Sequence, residues 1–290
     1  MYELLTVVNS GLRTTHDLFT GPAMPTPHGR SFGGQVMGQA LMSVGETIPA
    51  DRRVHSLHGY FLRPGNSNEK TAFEVARLFD GGSFSTRRVQ AYQNGTPIMS
   101  MIASFQTQDG GPDHQEPVDM SRFGSPDDFP NLREKYGHLQ NEKRASWILQ
   151  RPFDFRFVED DIVFRVPEAS PIQNVWMRTH NTLDENPLIH AAGLVFGADY
   201  MLVEPVMRAH GISWVTPGMR AASLDFSMWF HRPFRLDEWL LYSLVSPTAQ
   251  GGRGLTHGKF FTADGTHVAS VSQEVMLRLP ESHEAAGAQL

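Results

Sequence analysis

The chain has 290 residues, of which 40% are hydrophobic and 19% are charged, so it can bury the core of one large domain or two ordinary ones. Its formal net charge is -6 and its basic residues form no stripe, which argues against a nucleic-acid partner. The absence of cysteine excludes disulfides, thiolate metal sites and a cysteine nucleophile.

The N-terminal sequence MYELLTVVNSGLRTTHD lacks the basic and apolar regions of a signal peptide. No apolar run approaches the length of a membrane span. The C-terminal Ala-Gln-Leu differs from the Ser-Lys-Leu peroxisomal signal. The sequence therefore predicts a cytoplasmic protein without a membrane span.

Residues 29–33, GRSFG, match the G-x-S-x-G pattern of the nucleophile elbow in serine hydrolases. An elbow follows a buried strand, but the preceding sequence GPAMPTPHGR contains prolines that exclude a central strand. Apolar residues then recur every three or four positions, which predicts a helix over 32–48. Ser31 is accordingly predicted to be the N-cap of this helix and not a nucleophile. Gly34 and Gly38, four residues apart, predict a face for close helix contact.

The two halves of the chain carry the same landmarks in the same order. These are Arg63 and Arg232 (232 − 63 = 169), the Gly-Gly pairs 81–82 and 251–252 (251 − 81 = 170), and the turns 94–96 and 264–266 (264 − 94 = 170). Asn-Gly and Asp-Gly between apolar runs are typical of tight hairpins. Each half is therefore predicted to be one helix followed by long antiparallel strands.

The predicted fold class is α+β, with each antiparallel sheet wrapped around a central helix. The repeats are predicted over residues 1–108 and 146–280, with a linker rich in Asp, Pro and Gly over 109–145 and a flexible tail over 281–290. The strands fill 54–106 in the first repeat and 221–279 in the second, whose helix spans 187–209. Pairing of the two sheets edge to edge would remove an exposed edge from each.

Asp199 lies on the apolar face of the second helix, which is formed by Leu188, Ala192, Val195, Leu202 and Val206. An ionised carboxylate there costs several kcal/mol unless it is hydrogen-bonded or paired. It is either a structural residue bonded to sheet backbone or a positioned base at a pocket. The first helix has no acid until Glu46 at its far end, so the pattern suggests one active site per chain.

Two further polar positions interrupt apolar patterns. Gln273 shares one strand face with apolar residues on either side, so it either satisfies a neighbouring loop or orients a water or a substrate carbonyl. On the strand after the second helix, Ser223 and Asp225 share a face, and the pattern does not choose between them. The histidines have no metal-ligand spacing, and residues 33–38 lack the Lys-Ser/Thr of a phosphate loop. Neither a metal nor a cofactor is therefore expected.

Long ordered motifs resemble those of the acyl-CoA thioesterase II family, the TesB type, over roughly residues 15–280. They are FGGQVMGQAL (32–41), HSLHGYFLRPG (55–65), DGGSFSTRRV (80–89), SLDFSMWFHRPF (223–234) and SQE (272–274). The resemblance implies a double hotdog fold, an acyl-CoA substrate, and hydrolysis to free fatty acid and coenzyme A. It also implies a homodimer or higher homo-oligomer.

The resemblance further implies a catalytic set of Asp199, Ser223 and Gln273, in which Ser223 stands where Thr is more common. These residues would activate a water that attacks the thioester, without a covalent intermediate. FGGQ is expected to shape the tunnel or a dimer contact. Two alternatives remain: a non-catalytic acyl-CoA-binding protein, in which Asp199 is structural, and an enoyl-CoA hydratase, which would need an Asp-His pair. The nearest following histidine is His210, eleven residues after Asp199.

Overall fold

The computed structural model describes the backbone of residues 1–9, 16–141 and 143–280, together with their side chains except those of 143–145. The tail predicted over 281–290 lies outside the described residues. The first half contains α1 (Tyr2–Leu5), β1 (Val8–Asn9), β2 (Asp17–Gly21), α2 (Gly33–Gly45), β3 (Arg52–Phe61), β4 (Thr71–Asp80), β5 (Phe84–Gln93) and β6 (Thr96–Thr107).

The segment predicted as a linker, 109–145, contains the short helix α3 (Leu132–Tyr136), and α4 (Lys143–Leu149) begins at its end. The second half contains β7 (Phe153–Phe157), β8 (Ile172–Thr179), α5 (Pro187–Ala198), α6 (Glu204–Ala209), β9 (Arg220–Ser223), β10 (Asp225–Phe230), β11 (Leu240–Gln250), β12 (Arg253–Thr262) and β13 (His267–Arg278).

The described strands form one antiparallel sheet in which the two halves repeat the same strand order. The order is β2-β4-β5-β6-β3 in the first half and β8-β11-β12-β13-β10 in the second. The halves join where β3 pairs with β10, from Tyr60 opposite Asp225 to Ser56 opposite Trp229. The predicted edge-to-edge pairing is confirmed. Because β3 and β10 pair with each other, neither repeat has an unpaired edge strand at the junction.

Helices α2 and α5 pack against each other inside the curved sheet. A Cβ atom built on Gly34 would lie 2.5 Å from the carbonyl oxygen of Phe196, and one on Gly38 would lie 3.0 Å from that of Ala192. The predicted close-contact face of Gly34 and Gly38 is therefore confirmed. The central helix wrapped by antiparallel strands occurs twice, so the predicted α+β class and double hotdog architecture are confirmed as well.

The predicted turn at Asn94-Gly95 closes a tight hairpin, whereas the one at Asp264-Gly265 lies in a four-residue connection, 263–266, between β12 and β13. The repeated Gly-Gly pair of the second half also closes a hairpin. Asn94 (φ 49°) and Gly95 (φ 73°) connect β5 to β6, and Gly251 (φ 61°) and Gly252 (φ 73°) connect β11 to β12. Consecutive positive φ angles match the twist of the flanking strands.

The prediction that Ser31 caps the first helix is wrong. Helix α2 begins at Gly33, its N-cap is Phe32, and no side chain of the N-cap residue bonds the first turn. The Ser31 hydroxyl instead accepts a hydrogen bond from Gln93 Nε2 at 3.4 Å. The backbone N–H of Gly34 donates a hydrogen bond to Asp199, so a carboxylate from the other repeat caps the first turn of α2.

The second helix, predicted over 187–209, is divided. Helix α5 starts after Asn186, whose side chain accepts a hydrogen bond from the backbone N–H of Leu188, and it ends at Ala198. Asp199 is its C-cap, and a turn separates it from α6. The apolar periodicity continues through this turn because its residues 199–202 are also buried, which is why the sequence pattern does not show the break.

Candidate active site

Asp199 is a buried carboxylate, 8% exposed, at the end of α5. Its Oδ2 accepts a hydrogen bond from the backbone N–H of Gly34 at 2.7 Å. Its Oδ1 accepts one from Gln273 Nε2 at 2.8 Å and one from the Ser223 hydroxyl at 3.1 Å. The structure thus brings the three predicted site residues, Asp199, Ser223 and Gln273, into one hydrogen-bonded cluster.

Strand pairing places Ser223 and Gln273 on the same side of the sheet. Ser223, the last residue of β9, pairs with Val275 of β13. Gln273 precedes Val275 by two residues on β13, so both point to one face, and Gln273 is 1% exposed. Both side chains therefore reach the end of α5, which lies inside the sheet.

Asp225, the alternative to Ser223, has a structural contact instead. Its Oδ1 accepts a hydrogen bond from the backbone N–H of Glu274 at 2.8 Å. This bond joins the start of β10 to β13, whereas the Ser223 hydroxyl is the one that bonds Asp199.

The first turn of α2 is the site component that sequence reasoning missed. A Cβ atom on Gly33 would lie 2.8 Å from Asp199 Oδ2, and one on Gly34 would lie 3.0 Å from Asp199 Cβ. Only residues without side chains let the helix start approach the carboxylate so closely. The adjacent glycines Gly33 and Gly34 were the only indication in the sequence of this close approach. A backbone N–H is present in almost every residue type, so the sequence does not mark the donor.

Burial raises the pKa of Asp199 above its ordinary value, because the low-dielectric interior disfavours the charged form. The hydrogen bonds from Gln273, Ser223 and Gly34 act in the opposite direction, because they stabilise the carboxylate. A carboxylate with a raised pKa is a stronger base than an exposed aspartate, and it is held in place by donors from three different elements.

The equivalent strand position in the N-terminal repeat lacks the amide. At the repeat offset (273 − 103 = 170), Gln273 corresponds to Ala103 of β6, which pairs with Arg87 as Gln273 pairs with Thr256. The guanidinium of Arg87 is buried and donates to the carbonyl and hydroxyl oxygens of Thr47 at 3.0 Å each. An arginine with structural bonds therefore occupies this part of the N-terminal repeat.

The position of Ser223 is also apolar in the N-terminal repeat. Ser223 corresponds to Val54 (223 − 54 = 169). The contact of Gly34 with Asp199 has its counterpart at the other end of the helix pair, where a Cβ atom on Gly45 would lie 2.2 Å from Leu188 Cδ2. The described structure therefore contains the Asp-Ser-Gln cluster once, at the C-terminal repeat.

The described residues lack the features of two other kinds of site. They contain no group of three or more His, Asp or Glu side chains that could hold a metal ion. They also contain no helix long and apolar enough to cross a membrane.

The fold and the site define a double hotdog protein with a buried Asp-Ser-Gln cluster. Family models described as the acyl-CoA thioesterase N-terminal domain and C-terminal domain match residues 21–106 and 126–277. The chain therefore belongs to the acyl-CoA thioesterase family, as its motifs predicted.

Individual relatives agree with this membership over nearly the whole chain. Acyl-CoA thioesterase 2 of Haemophilus influenzae is 32% identical, covering 91% of this chain and 93% of that protein. Human acyl-coenzyme A thioesterase 8 is 33% identical, covering 91% of this chain and 85% of that protein. The crystal structure of acyl-CoA thioesterase II TesB2 from Mycobacterium marinum matches with a TM-score of 0.74 and 38% identity, covering 97% of this chain and 99% of that one.

Proposed function

We propose that this chain hydrolyses fatty acyl-CoA to free fatty acid and coenzyme A, with Asp199, Ser223 and Gln273 as its catalytic residues. The observation that carries the proposal is the buried carboxylate of Asp199, bonded by a hydroxyl and an amide, in a member of the acyl-CoA thioesterase family. Burying a carboxylate costs several kcal/mol, which a purely structural position could avoid by using a neutral residue.

In the proposed reaction Asp199 and Ser223 hold a water molecule, and Asp199 draws off its proton as the water attacks the thioester carbonyl. Gln273 orients that water. The tetrahedral intermediate collapses with breakage of the carbon–sulfur bond, and the proton passes to the leaving sulfur of coenzyme A. A general base of this kind contributes about 10²–10⁴-fold to the rate.

The developing oxyanion needs donors that are already in place. The first turn of α2 lies against Asp199, and the N–H groups at a helix start have no partner within the helix. We assign the oxyanion to those first-turn N–H groups that Asp199 does not use. The N-terminal repeat then supplies donors and the C-terminal repeat supplies the base.

The hydratase alternative is not favoured by the structure. It needs a histidine beside the carboxylate, and His210 is exposed at the end of α6 whereas Asp199 is buried. The non-catalytic alternative rests on the bond between Asp199 and Gly34, which is compatible with a structural role. Release of free thiol from palmitoyl-CoA, followed with a thiol reagent, distinguishes the hydrolase from both alternatives.

A hydrolase produces one thiol per substrate, whereas a hydratase and a binding protein produce none. Because the chain has no cysteine, the enzyme itself does not react with the reagent. Lack of thiol release from saturated acyl-CoA of any chain length would rule out the proposed function.

We also propose that the chain forms at least a homodimer and acts in the cytoplasm, as the sequence predicts. A monomer mass by light scattering at micromolar concentration would contradict the first statement. Cell fractionation tests the second.

A further inference from the structure

Arg151, between α4 and β7, is a buried arginine whose side chain has no polar partner. It is 9% exposed, and within the described chain its guanidinium makes no ion pair and no hydrogen bond. Its Nε is fully buried without a partner. Burial lowers its pKa, and the nearby Tyr200 and Glu204 raise it. Unused donors of a buried cation are unfavourable unless a ligand or water accepts them.

Arg151 contacts an aromatic residue that is next to Asp199 in the chain. Its Cζ lies 4.5 Å from the centre of the Tyr200 ring, and Tyr200 directly follows Asp199. The ring of Phe32 stacks on the Tyr200 ring at a centroid distance of 4.2 Å. Phe32 directly precedes the glycines that contact the carboxylate. The guanidinium therefore lies against Tyr200, which in turn stacks on Phe32 beside the site.

A groove lies beside Trp147, whose ring is close to these aromatic residues. It has a volume of about 280 Å³ and is lined by Pro25, Thr26, Pro27, Ser146, Trp147 and Gln150. The ring of Trp147 lies 6.4 Å from those of both Phe32 and Tyr200, and Gln150 directly precedes Arg151. The groove therefore adjoins the Arg151 region through Trp147, near the Tyr200 ring, and through Gln150, the preceding residue of the chain.

We propose that Arg151 binds an amide carbonyl oxygen of the pantetheine arm of acyl-CoA. This inference rests on the proposed function. Two methylene groups and one N–H separate the thioester sulfur from the first amide carbonyl of that arm. A side chain beside the site can therefore contact this carbonyl. The coenzyme A diphosphate lies at the far end of the arm, and a simple fatty acyl chain carries no acceptor. The neutral carbonyl also enters a buried position at lower cost than an anion.

The experiment compares two thioesters of the same fatty acid on the full-length protein. Octanoyl-N-acetylcysteamine contains the first pantetheine amide, whereas S-ethyl thiooctanoate does not. Hydrolysis of the N-acetylcysteamine thioester by the wild type establishes thioesterase activity independently of Arg151. Arg151→Gln is then expected to lower kcat/KM for this substrate about 10–100-fold, as loss of a hydrogen bond from a charged donor does. For the S-ethyl thioester the change is expected to stay within about threefold.

Arg151→Lys keeps the charge but loses the planar donor fork, so it should show a smaller loss with the same substrate selectivity. Arg151→Lys also provides the test if Arg151→Gln does not fold. The matched control is Arg208→Gln, since Arg208 is also buried with an unpartnered Nε, but its Nη1 donates to the carbonyl oxygen of Asp160. This control should lower the melting temperature without favouring either thioester.

Equal losses on both thioesters in the Arg151 variants would make Arg151 structural and overturn the proposal. A loss of kcat/KM confined to acyl-CoA substrates with an ω-carboxyl group would also overturn the proposal, because the acceptor would then lie on the acyl chain.

Discussion

Replacement of Gly34 by alanine tests the link between the two repeats most sharply. The added Cβ would lie 2.5 Å from the Phe196 carbonyl oxygen, 2.7 Å from Phe32 Cε1 and 3.0 Å from Asp199 Cβ. The nearest of these atoms is backbone of α5, which cannot rotate away. Helix α2 must therefore shift and lengthen the 2.7 Å hydrogen bond from Gly34 to Asp199.

The expected destabilisation is about 2–4 kcal/mol. Overpacking costs ~1–3 kcal/mol, and weakening a hydrogen bond to a charged acceptor costs up to ~1.5–3 kcal/mol. The better helix propensity of alanine offsets ~1 kcal/mol of this. For a domain of this size we expect the melting temperature to fall by about 5–10 °C.

The same variant should change the pH profile of kcat. The Gly34 N–H stabilises the carboxylate of Asp199 and so lowers its pKa against the effect of burial. Loss of this donor raises the pKa further. Because the reaction needs the ionised carboxylate, activity is lost as pH falls through that pKa, and the acid limb should move to higher pH.

Gly38→Ala is the matched control, because it lies one helical turn further along the same contact face. Its Cβ would lie 2.7 Å from Leu5 Cδ2 and 3.0 Å from the Ala192 carbonyl oxygen, away from the carboxylate. It should lower the melting temperature and leave the acid limb unchanged. Wild-type stability together with an unshifted acid limb in Gly34→Ala would refute the proposed coupling between the repeats.

The remaining predictions concern the two serines. Ser223→Thr should retain or slightly raise kcat, because it keeps the hydroxyl and restricts χ1, whereas Ser223→Ala should lower kcat more than it raises KM. Equal steady-state rates for wild type and Ser223→Ala would remove this residue from the mechanism. Ser31→Ala should keep thioesterase activity within about threefold and cost less than ~0.5 kcal/mol in thermal unfolding, since Ser31 caps no helix. Inactivation of the folded Ser31 variant would restore the nucleophile interpretation.

Much of the fold follows from short-range patterns in the sequence. The hairpin turns at Asn94-Gly95 and Gly251-Gly252 need residues that accept positive φ. The same offset between each turn and its counterpart in the other half (264 − 94 = 170 and 251 − 81 = 170) reveals the duplication. Asp199 and Gln273 stand out because each is a polar residue in an apolar row. Local periodicity therefore identifies both the repeat architecture and two members of the cluster.

The rest depends on contacts between distant parts of the chain. Ser31 has the residue type of an N-cap, but the first turn of α2 is buried against the other repeat, where Asp199 accepts from Gly34. Neither that backbone donor nor the position of Arg151 beside Tyr200 leaves a pattern in the local sequence. Such contacts are set by how the repeats pack, which periodicity does not encode.

The most direct test of the central claim is thiol release from palmitoyl-CoA by Asp199→Asn, measured beside its thermal unfolding. The amide still offers an oxygen to the Gly34 N–H and removes a buried charge, so the melting temperature should stay at or above that of wild type. The rate per folded molecule should fall by roughly 10²–10⁴-fold, as expected for loss of a general base. A variant that melts far below wild type while each folded molecule hydrolyses at the wild-type rate would show instead that Asp199 only caps α2.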